Sequence, residues 1–120
     1  SEGVDPVVMG LGPAVAIPKA LKQAGMKFDD IDYWEINEAF ASQWLGVGRM
    51  LKEDFGMEID LEKVNHNGSG IALGHPVGCT GLRLVVTLYH EMERLGLTLG
   101  GASMCVGGGP AMASLWTREL

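Results

Sequence analysis

A histidine set among glycines is the first feature of this sequence that could do chemistry. The run Val64–Gly81 contains five glycines, and His75 stands in it between Gly74 and Pro76. Glycines at this density permit positive φ angles and close backbone approach to other groups. An imidazole presented in this way could take a proton from a thiol or donate to a developing oxyanion. The plainer interpretation is a structural histidine, but the surrounding glycines favour the catalytic one.

An asparagine at the end of a predicted strand is the second such feature. Asn37 opens the run Asn37–Phe40, where a strand gives way to a helix. Open α/β sheets build their sites at the carboxyl ends of strands. The amide could therefore fix a water molecule or a carbonyl group. Taken alone, Asn37 is better explained as the N-cap of the helix.

A thiol beside a glycine turn is the third. Cys105 ends a predicted buried strand and precedes Gly107–Gly109, whose backbone N–H groups could form an oxyanion hole. The commoner situation is a buried cysteine that behaves as a small hydrophobe. Cys79 has only a structural interpretation, as a small residue in a tight loop. An Asn, a His and a Cys, each at the end of an element and among small residues, together indicate acyl or thioester chemistry.

The elements that must position these residues follow from hydrophobic periodicity and stop signals. Residues 1–12 are predicted to form a loop. In the helix predicted over about 40–55, the apolar residues that recur every three or four positions are assigned to the core. The order is that of an α/β domain, with a first strand expected upstream of Ser1. The predicted elements are helices over about 13–24, 40–55 and 82–95, strands over 33–36, 97–106 and 111–116, and a very short strand at 64–65.

Composition excludes several classes of protein. The chain has 120 residues, enough for one domain, with 47% apolar and 20% charged residues. A net charge of −6 argues against nucleic acid or an anionic membrane as partner. The two cysteines are too few for a disulfide framework, which favours a reducing, cytoplasmic compartment. No second His or Cys stands near His75 at ligand spacing except Cys79, so no metal is predicted. The glycine turns match no phosphate-binding motif.

The three runs resemble the signatures of thiolases, in order and spacing. The runs are Asn-Glu-Ala-Phe at 37–40, Asn-x-Asn-Gly-Ser-Gly-Ile-Ala-Leu-Gly-His-Pro-Val-Gly at 65–78 and Cys-x-Gly-Gly-Gly at 105–109. The similarity is to the C-terminal half of the enzyme and covers nearly the whole chain. It implies a thiolase-like half over residues 1–120, a layered mixed β-sheet with helices, whose first strand is missing from this chain. Ketoacyl synthases share the fold but lack the first run.

The resemblance implies a role for each residue in condensing two acyl-CoA molecules, or in splitting 3-ketoacyl-CoA with coenzyme A. His75 would activate the nucleophilic thiol, and Asn37 would hold a water molecule that completes an oxyanion hole. Cys105 would be the general acid and base at the α-carbon. The N–H of Gly107 would contribute to a second oxyanion hole. Ala39 and Phe40 would lie against the pantetheine arm of coenzyme A. No cofactor is implied beyond the thioester substrates.

The chain departs from the family pattern in ways that bear on activity. The acyl-accepting cysteine of the family lies in its N-terminal half, and neither Cys79 nor Cys105 matches its motif. His66, Cys79 and Pro110 stand where other residues are usual, and Pro110 is expected to stiffen the turn after Cys105. The chain alone is therefore predicted to be inactive, with an N-terminal half as partner and a homo-oligomer as the full enzyme. The alternatives are an assembly module that pairs with a separate subunit or with itself, and a CoA-binding domain without chemistry.

Overall fold

A four-stranded mixed sheet forms the centre of the protein. The computed structural model describes residues 1–119, and its strands are β1 (Glu2–Gly3), β2 (Tyr33–Ile36), β3 (Leu99–Cys105) and β4 (Pro110–Thr117). Their order in the sheet is β1-β4-β3-β2. The pairs β1–β4 and β3–β4 are antiparallel, whereas β2 and β3 are parallel. A parallel bridge from Trp34 to Val64 continues the sheet by one residue beyond β2.

Helices cover both faces of the sheet. Within residues 1–119 the α-helices are α1 (Gly12–Ala24), α2 (Ala41–Phe55), α3 (Gly70–Leu73) and α4 (Thr80–Leu95). Alternate residues of β2 point to opposite faces, as the strand repeat requires. Trp34 packs in one core cluster with residues of α1 and α2, and Tyr33 packs in another with residues of α4. The result is a three-layer arrangement, which confirms the predicted layered, mixed α/β fold.

The three longer helices end where the sequence predicts. Gly25, Gly56 and Gly96 each adopt the left-handed conformation, with φ between 65° and 68°, immediately after α1, α2 and α4. Pro18 lies inside α1, which continues past it to Ala24. The predicted bounds of these helices and of β2 are therefore confirmed to within about two residues. None of the helices within residues 1–119 is long and apolar enough to cross a membrane.

The predicted loop over residues 1–12 is wrong. Glu2–Gly3 pair with Ala111 and Pro110 of β4, and Pro6–Leu11 form a 3₁₀ helix that leads into α1. A strand, of two residues, is thus present at this end of the chain, where the sequence led us to expect none. Local periodicity could not reveal it, because a two-residue strand depends on its partner and carries no repeat of its own.

The assignment of the α2 stripe to the core holds only for its middle. Val47 and Leu51 are completely buried, but Phe55 is 41% exposed and Phe40, which precedes the helix, is 65% exposed. Phe40 instead lines a cleft between α2 and the glycine-rich run.

Candidate active site

A cleft of about 900 Å³ opens at the carboxyl edge of the two parallel strands. Asn37 directly follows β2 and Cys105 ends β3, so parallel pairing places both residues at the same edge of the sheet. His75 reaches the cleft from the loop after α3. Every residue assigned to the site from the sequence lines this one cleft: Asn37, Ala39, Phe40, His75, Cys105 and Gly107.

Asn37 is held by the sheet and does not cap a helix. It is 2% exposed, and its N–H donates to the carbonyl oxygen of Ser103 at 2.9 Å. The N-cap of α2 is Phe40, three residues further on, without a side-chain capping bond. The interpretation of Asn37 as a simple helix cap is therefore wrong.

Asn65 fastens the glycine-rich run to the end of β2. Its Oδ1 accepts from the N–H of Ile36 at 2.9 Å, and its Nδ2 donates to the Ile36 carbonyl at 2.7 Å. It adopts a φ of 48°, a left-handed conformation that asparagine tolerates better than most residues. Glu38 strengthens the junction, because its carboxylate accepts from Asn65 Nδ2 at 3.2 Å and from the N–H of Ser69 at 3.3 Å.

The orientation of the His75 ring is set by Thr80 at the start of α4. His75 Nδ1 lies 2.7 Å from Thr80 Oγ1, and the Thr80 hydroxyl donates to the Pro76 carbonyl at 3.3 Å. The only hydroxyl hydrogen of Thr80 is thus used, so Oγ1 accepts from Nδ1–H. A neutral His75 then carries its lone pair on Nε2, the state that a general base requires.

Cys105 and the following turn form the opposite side of the cleft. Burial raises the pKa of the half-buried Cys105 thiol. Gly107–Gly109 all have positive φ, and the turn closes through a bond from Val106 N–H to the Pro110 carbonyl at 2.9 Å. Within residues 1–119 the N–H of Gly107 donates to no protein acceptor, which leaves it available to an oxygen in the cleft.

The mouth of the cleft is apolar, and a buried glutamine joins two of the segments that line it by hydrogen bonds. Gln43 Oε1 accepts from the N–H of Ala39 at 3.1 Å, and Gln43 Nε2 donates to the Gly10 carbonyl at 2.9 Å. These bonds fix the segment before α2 against the 3₁₀ helix. Apolar side chains at the mouth are largely exposed, among them Val7, Phe40, Val77 and Val106. In the described part of the chain no group of three or more His, Cys, Asp or Glu residues could hold a metal ion.

Comparison with known proteins identifies the family of this chain. The family model described as "Thiolase, C-terminal domain" matches residues 1–118. The chain belongs to the thiolase C-terminal domain family. Its fold superposes on an acetyl-CoA acetyltransferase from Syntrophomonas wolfei with a TM-score of 0.97 and 74% identity, covering 98% of this chain and 30% of that one. Human mitochondrial 3-ketoacyl-CoA thiolase in complex with CoA gives a TM-score of 0.90 at 43% identity, covering 99% of this chain and 29% of that one.

Curated relatives of this thiolase domain are named 3-ketoacyl-CoA thiolases. A peroxisomal one from Petunia hybrida is 54% identical over 118 residues, which is 97% of this chain and 24% of that protein. One from Hahella chejuensis is 52% identical over 116 residues, which is 97% of this chain and 29% of that protein. The chain therefore spans between about a quarter and three tenths of the length of these relatives.

Several residues of the thiolase domain that build the site were not singled out from the sequence. They are Gln43, Asn65, Ser69 and Thr80, and Glu38 was noted only as part of a run. Asn65, Ser69 and Thr80 stand within the glycine-rich segment, and the signal was their polarity among small residues. Gln43 carries no local signal, because its partners are fixed only when the chain folds.

The residues that depart from the family pattern lie outside the centre of the cleft. His66 Nε2 is 2.7 Å from the Glu62 carbonyl, and its Nδ1 is 3.5 Å from a carboxylate oxygen of Glu91. Cys79 is exposed and stands at the N-cap of α4. Pro110 is the first residue of β4. The third histidine, His90, is 69% exposed and lies on α4.

Proposed function

We propose that this chain is the C-terminal catalytic half of an acyl-CoA:acetyl-CoA C-acyltransferase. The observation that carries the proposal is the convergence of His75, Asn37 and Cys105 on one cleft. The reaction is a Claisen condensation of two acyl-CoA molecules or, in reverse, thiolysis of 3-ketoacyl-CoA by coenzyme A. Family membership and the thiolase names of the relatives support this reaction class.

In the acylation step, His75 Nε2 takes the proton of a cysteine thiol supplied by the N-terminal half. The resulting thiolate attacks the thioester carbonyl of acyl-CoA, and the carbonyl electron pair moves to oxygen. A water molecule held by Asn37 stabilises that oxyanion together with the imidazole. When the tetrahedral intermediate collapses, the bond to CoA breaks and the CoA sulfur receives the proton from His75.

In the condensation step, Cys105 as thiolate removes an α-proton of acetyl-CoA. The carbanion attacks the acyl-cysteine carbonyl, a carbon–carbon bond forms, and the enzyme thiolate leaves. The N–H of Gly107 donates to an oxyanion of this step. In thiolysis Cys105 acts as the acid, and burial favours the protonated thiol that this direction requires. Ala39 and Phe40 contact the pantetheine arm at the mouth of the cleft.

The partner that completes the site is an N-terminal thiolase half. On the exposed side of α4, Leu82, Val86 and Tyr89 recur at intervals of four and three residues and are 64%, 48% and 54% exposed. On β4, Met112 and Trp116 pair with the α4-facing residues of β3 and are 57% and 46% exposed. Exposed apolar side chains on a helix and on a strand of the same domain are typical of an interface. The same surface would serve the alternative function, an assembly or CoA-binding module without catalysis.

Three further expectations belong to this proposal. The full enzyme is a homo-oligomer, its substrates are coenzyme A thioesters, and it uses no cofactor. A cytoplasmic location stays a prediction from the small number of cysteines. Relatives at 51% to 54% identity carry "peroxisomal" in their names, so a tagged protein should be located directly by microscopy.

The experiment that tests the proposal is complementation with an N-terminal half. The isolated chain should show no thiolysis of acetoacetyl-CoA, and activity should appear when the N-terminal half is joined to it. His75→Ala should abolish that activity, whereas His90→Ala should retain it, because His90 does not line the cleft and its side chain is 69% exposed. Activity of the isolated chain, or full activity of the His75 variant, would contradict the proposal.

A further inference from the structure

A line of buried polar contacts leads from the core to the amide of Asn37. Glu35, Ser69 and Asn37 are 0%, 0% and 2% exposed. Arg83 Nη1 donates to Glu35 Oε2 at 3.4 Å, and Arg83 Nη2 donates to Ser69 Oγ at 2.8 Å. Ser69 Oγ in turn donates to Asn37 Oδ1 at 3.4 Å. Ser69 itself does not line the cleft.

The direction of these bonds follows from the chemistry of the groups. A guanidinium can only donate, so Ser69 must accept from Arg83. The single hydroxyl hydrogen of Ser69 is then available for Asn37 Oδ1. The amide oxygen is thereby occupied on the core side, which leaves Nδ2 as the end of Asn37 that can face the cleft. The two ends of an asparagine amide have nearly the same shape, so only such a network selects between them.

The backbone next to Ser69 restricts the same side chain. A Cβ atom added to Gly70 would lie 3.0 Å from Asn37 Oδ1 and 2.7 Å from the Glu38 carbonyl oxygen. The chain therefore passes close against the oxygen end of the amide. Contact on that side limits rotation of Asn37 away from the orientation that Ser69 selects.

We propose that Ser69 is a positioning residue that directs Asn37 Nδ2 into the cleft, with Arg83 fixing the Ser69 hydroxyl. This inference rests on the proposed function. Nδ2 donates to the oxygen of the held water molecule, so both water hydrogens remain free and one can donate to the thioester oxyanion. A flipped amide would offer Oδ1 instead, would take a hydrogen from the water, and would place a partial negative charge towards the oxyanion.

The test is a double-mutant cycle in the full-length enzyme, in which this chain is joined to its N-terminal half. Ser69→Ala should lower kcat for thiolysis of acetoacetyl-CoA about 10-fold to 100-fold, somewhat less than loss of an oxyanion-hole donor itself, with KM changed less than about threefold. In an Asn37→Ala background the same substitution should have no further effect on kcat, because Ser69 acts through Asn37. Ser69→Gly, which also removes the hydroxyl, should repeat both results if the alanine variant folds poorly.

Ser103→Ala is the matched control. Ser103 is similarly buried, at 2% exposure, and its hydroxyl donates to the Met112 carbonyl at 2.9 Å, away from the cleft. Its backbone carbonyl, which accepts from the N–H of Asn37, is kept in the variant. It should lower the melting temperature by a similar amount and leave kcat unchanged. Ser69 variants that behave like this control, or effects that add to that of Asn37→Ala, would overturn the inference alone. Full activity of Asn37→Ala itself, or an inactive parent enzyme, would overturn the proposed function together with it.

Discussion

His75 Nδ1 and Thr80 Oγ1 are 2.7 Å apart, a contact that fixes the orientation of the His75 ring. Because the Thr80 hydroxyl donates to the Pro76 carbonyl, the proton stays on Nδ1 and the basic lone pair stays on Nε2. Thr80 is 1% exposed, so water does not compete readily for the contact. The sequence shows both residues but not the bond, since a loop with two positive-φ glycines brings them together.

Replacing Thr80 by valine should therefore impair catalysis, while the bond from the backbone N–H of residue 80 to the Pro76 carbonyl, 3.1 Å in the parent, keeps the loop closed. We expect Thr80→Val to lower kcat about 10-fold to 100-fold in the full-length enzyme, less than the roughly 10²–10⁴-fold contribution of a general base, because the imidazole itself is kept. Thr80→Ser keeps the hydroxyl and should stay within about threefold of the parent. Thr117→Val, an exposed position on β4, is the control for the substitution itself. Parent-like kcat in Thr80→Val would show that the tautomer does not depend on this bond.

The buried Glu35 should make stability depend on pH. Burial raises its pKa from 4.5 to about 7, despite the opposing effects of Tyr33 and Arg83 and with a minor contribution from Glu91. Between pH 4.5 and about 7, Glu35 is therefore protonated in the native state but ionised in the unfolded state. The resulting stabilisation is complete below pH 4.5 and is lost as pH rises to about 7, with a slope of at most about 1.4 kcal/mol per pH unit.

Glu35→Gln removes this titration and supplies the reference for it. The free energy of unfolding of the parent minus that of the variant, measured in urea, should fall between pH 4.5 and 7 and be flat above that range. A difference that rises with pH, or that does not change, would show that Glu35 is ionised throughout in the native state.

Gly101 should tolerate no side chain, because both faces of β3 are covered. A Cβ there would collide with the indole ring of Trp34, itself 3% exposed and packed in the core. Gly101→Ala should cost about 1–3 kcal/mol of stability or more, the range for overpacking. Gly3→Ala is the matched control, since nothing lies within 4 Å of an added Cβ at Gly3. Denaturant unfolding of the two variants measures the difference, and equal stabilities would contradict the packing described for β3.

The two cysteines should differ in reactivity with iodoacetamide. Cys79 is exposed, whereas Cys105 is partly buried and its pKa is raised by that burial. Since the thiolate is the reactive species, Cys105 should be alkylated several times more slowly at pH 7.5. The alkylation rate of Cys105 should continue to increase at pH values above the ordinary pKa of a thiol. Mass spectrometry of tryptic peptides gives both rates, and faster alkylation of Cys105 at neutral pH would contradict the geometry of the site.

Much of the fold could be predicted from local signals. The apolar repeats of α1, α2 and α4 end at Gly25, Gly56 and Gly96. Glycine adopts the left-handed conformation after a helix without steric cost, so the sequence alone indicates where these helices end. The meeting of Asn37 and Cys105 was also predictable in part. Two strands that end in polar residues place them at one edge of the sheet if the strands run parallel, as β2 and β3 do.

The remainder depends on contacts between distant segments. Asn65 binds the backbone of Ile36, 29 residues earlier, and Gln43 joins Gly10 to Ala39. Hydrophobic periodicity does not predict such bonds, because they form only when loops pack against helices and strands that are distant in sequence. The orientation of the Asn37 amide also depends on residues that are distant in sequence. Its motif marks the residue, but the direction of its amide follows from Ser69 and Arg83 on other segments.

The most direct test of the account is the thiolase activity of two cysteine variants in the full-length enzyme. Cys105 lines the cleft and is assigned the acid and base role, whereas Cys79 is an exposed residue at the start of α4. In thiolysis of acetoacetyl-CoA, Cys105→Ala should lower kcat by about 10²–10⁴-fold, and Cys79→Ala should leave it within about threefold of the parent. Parent-like activity in Cys105→Ala would contradict the proposed role of this cleft.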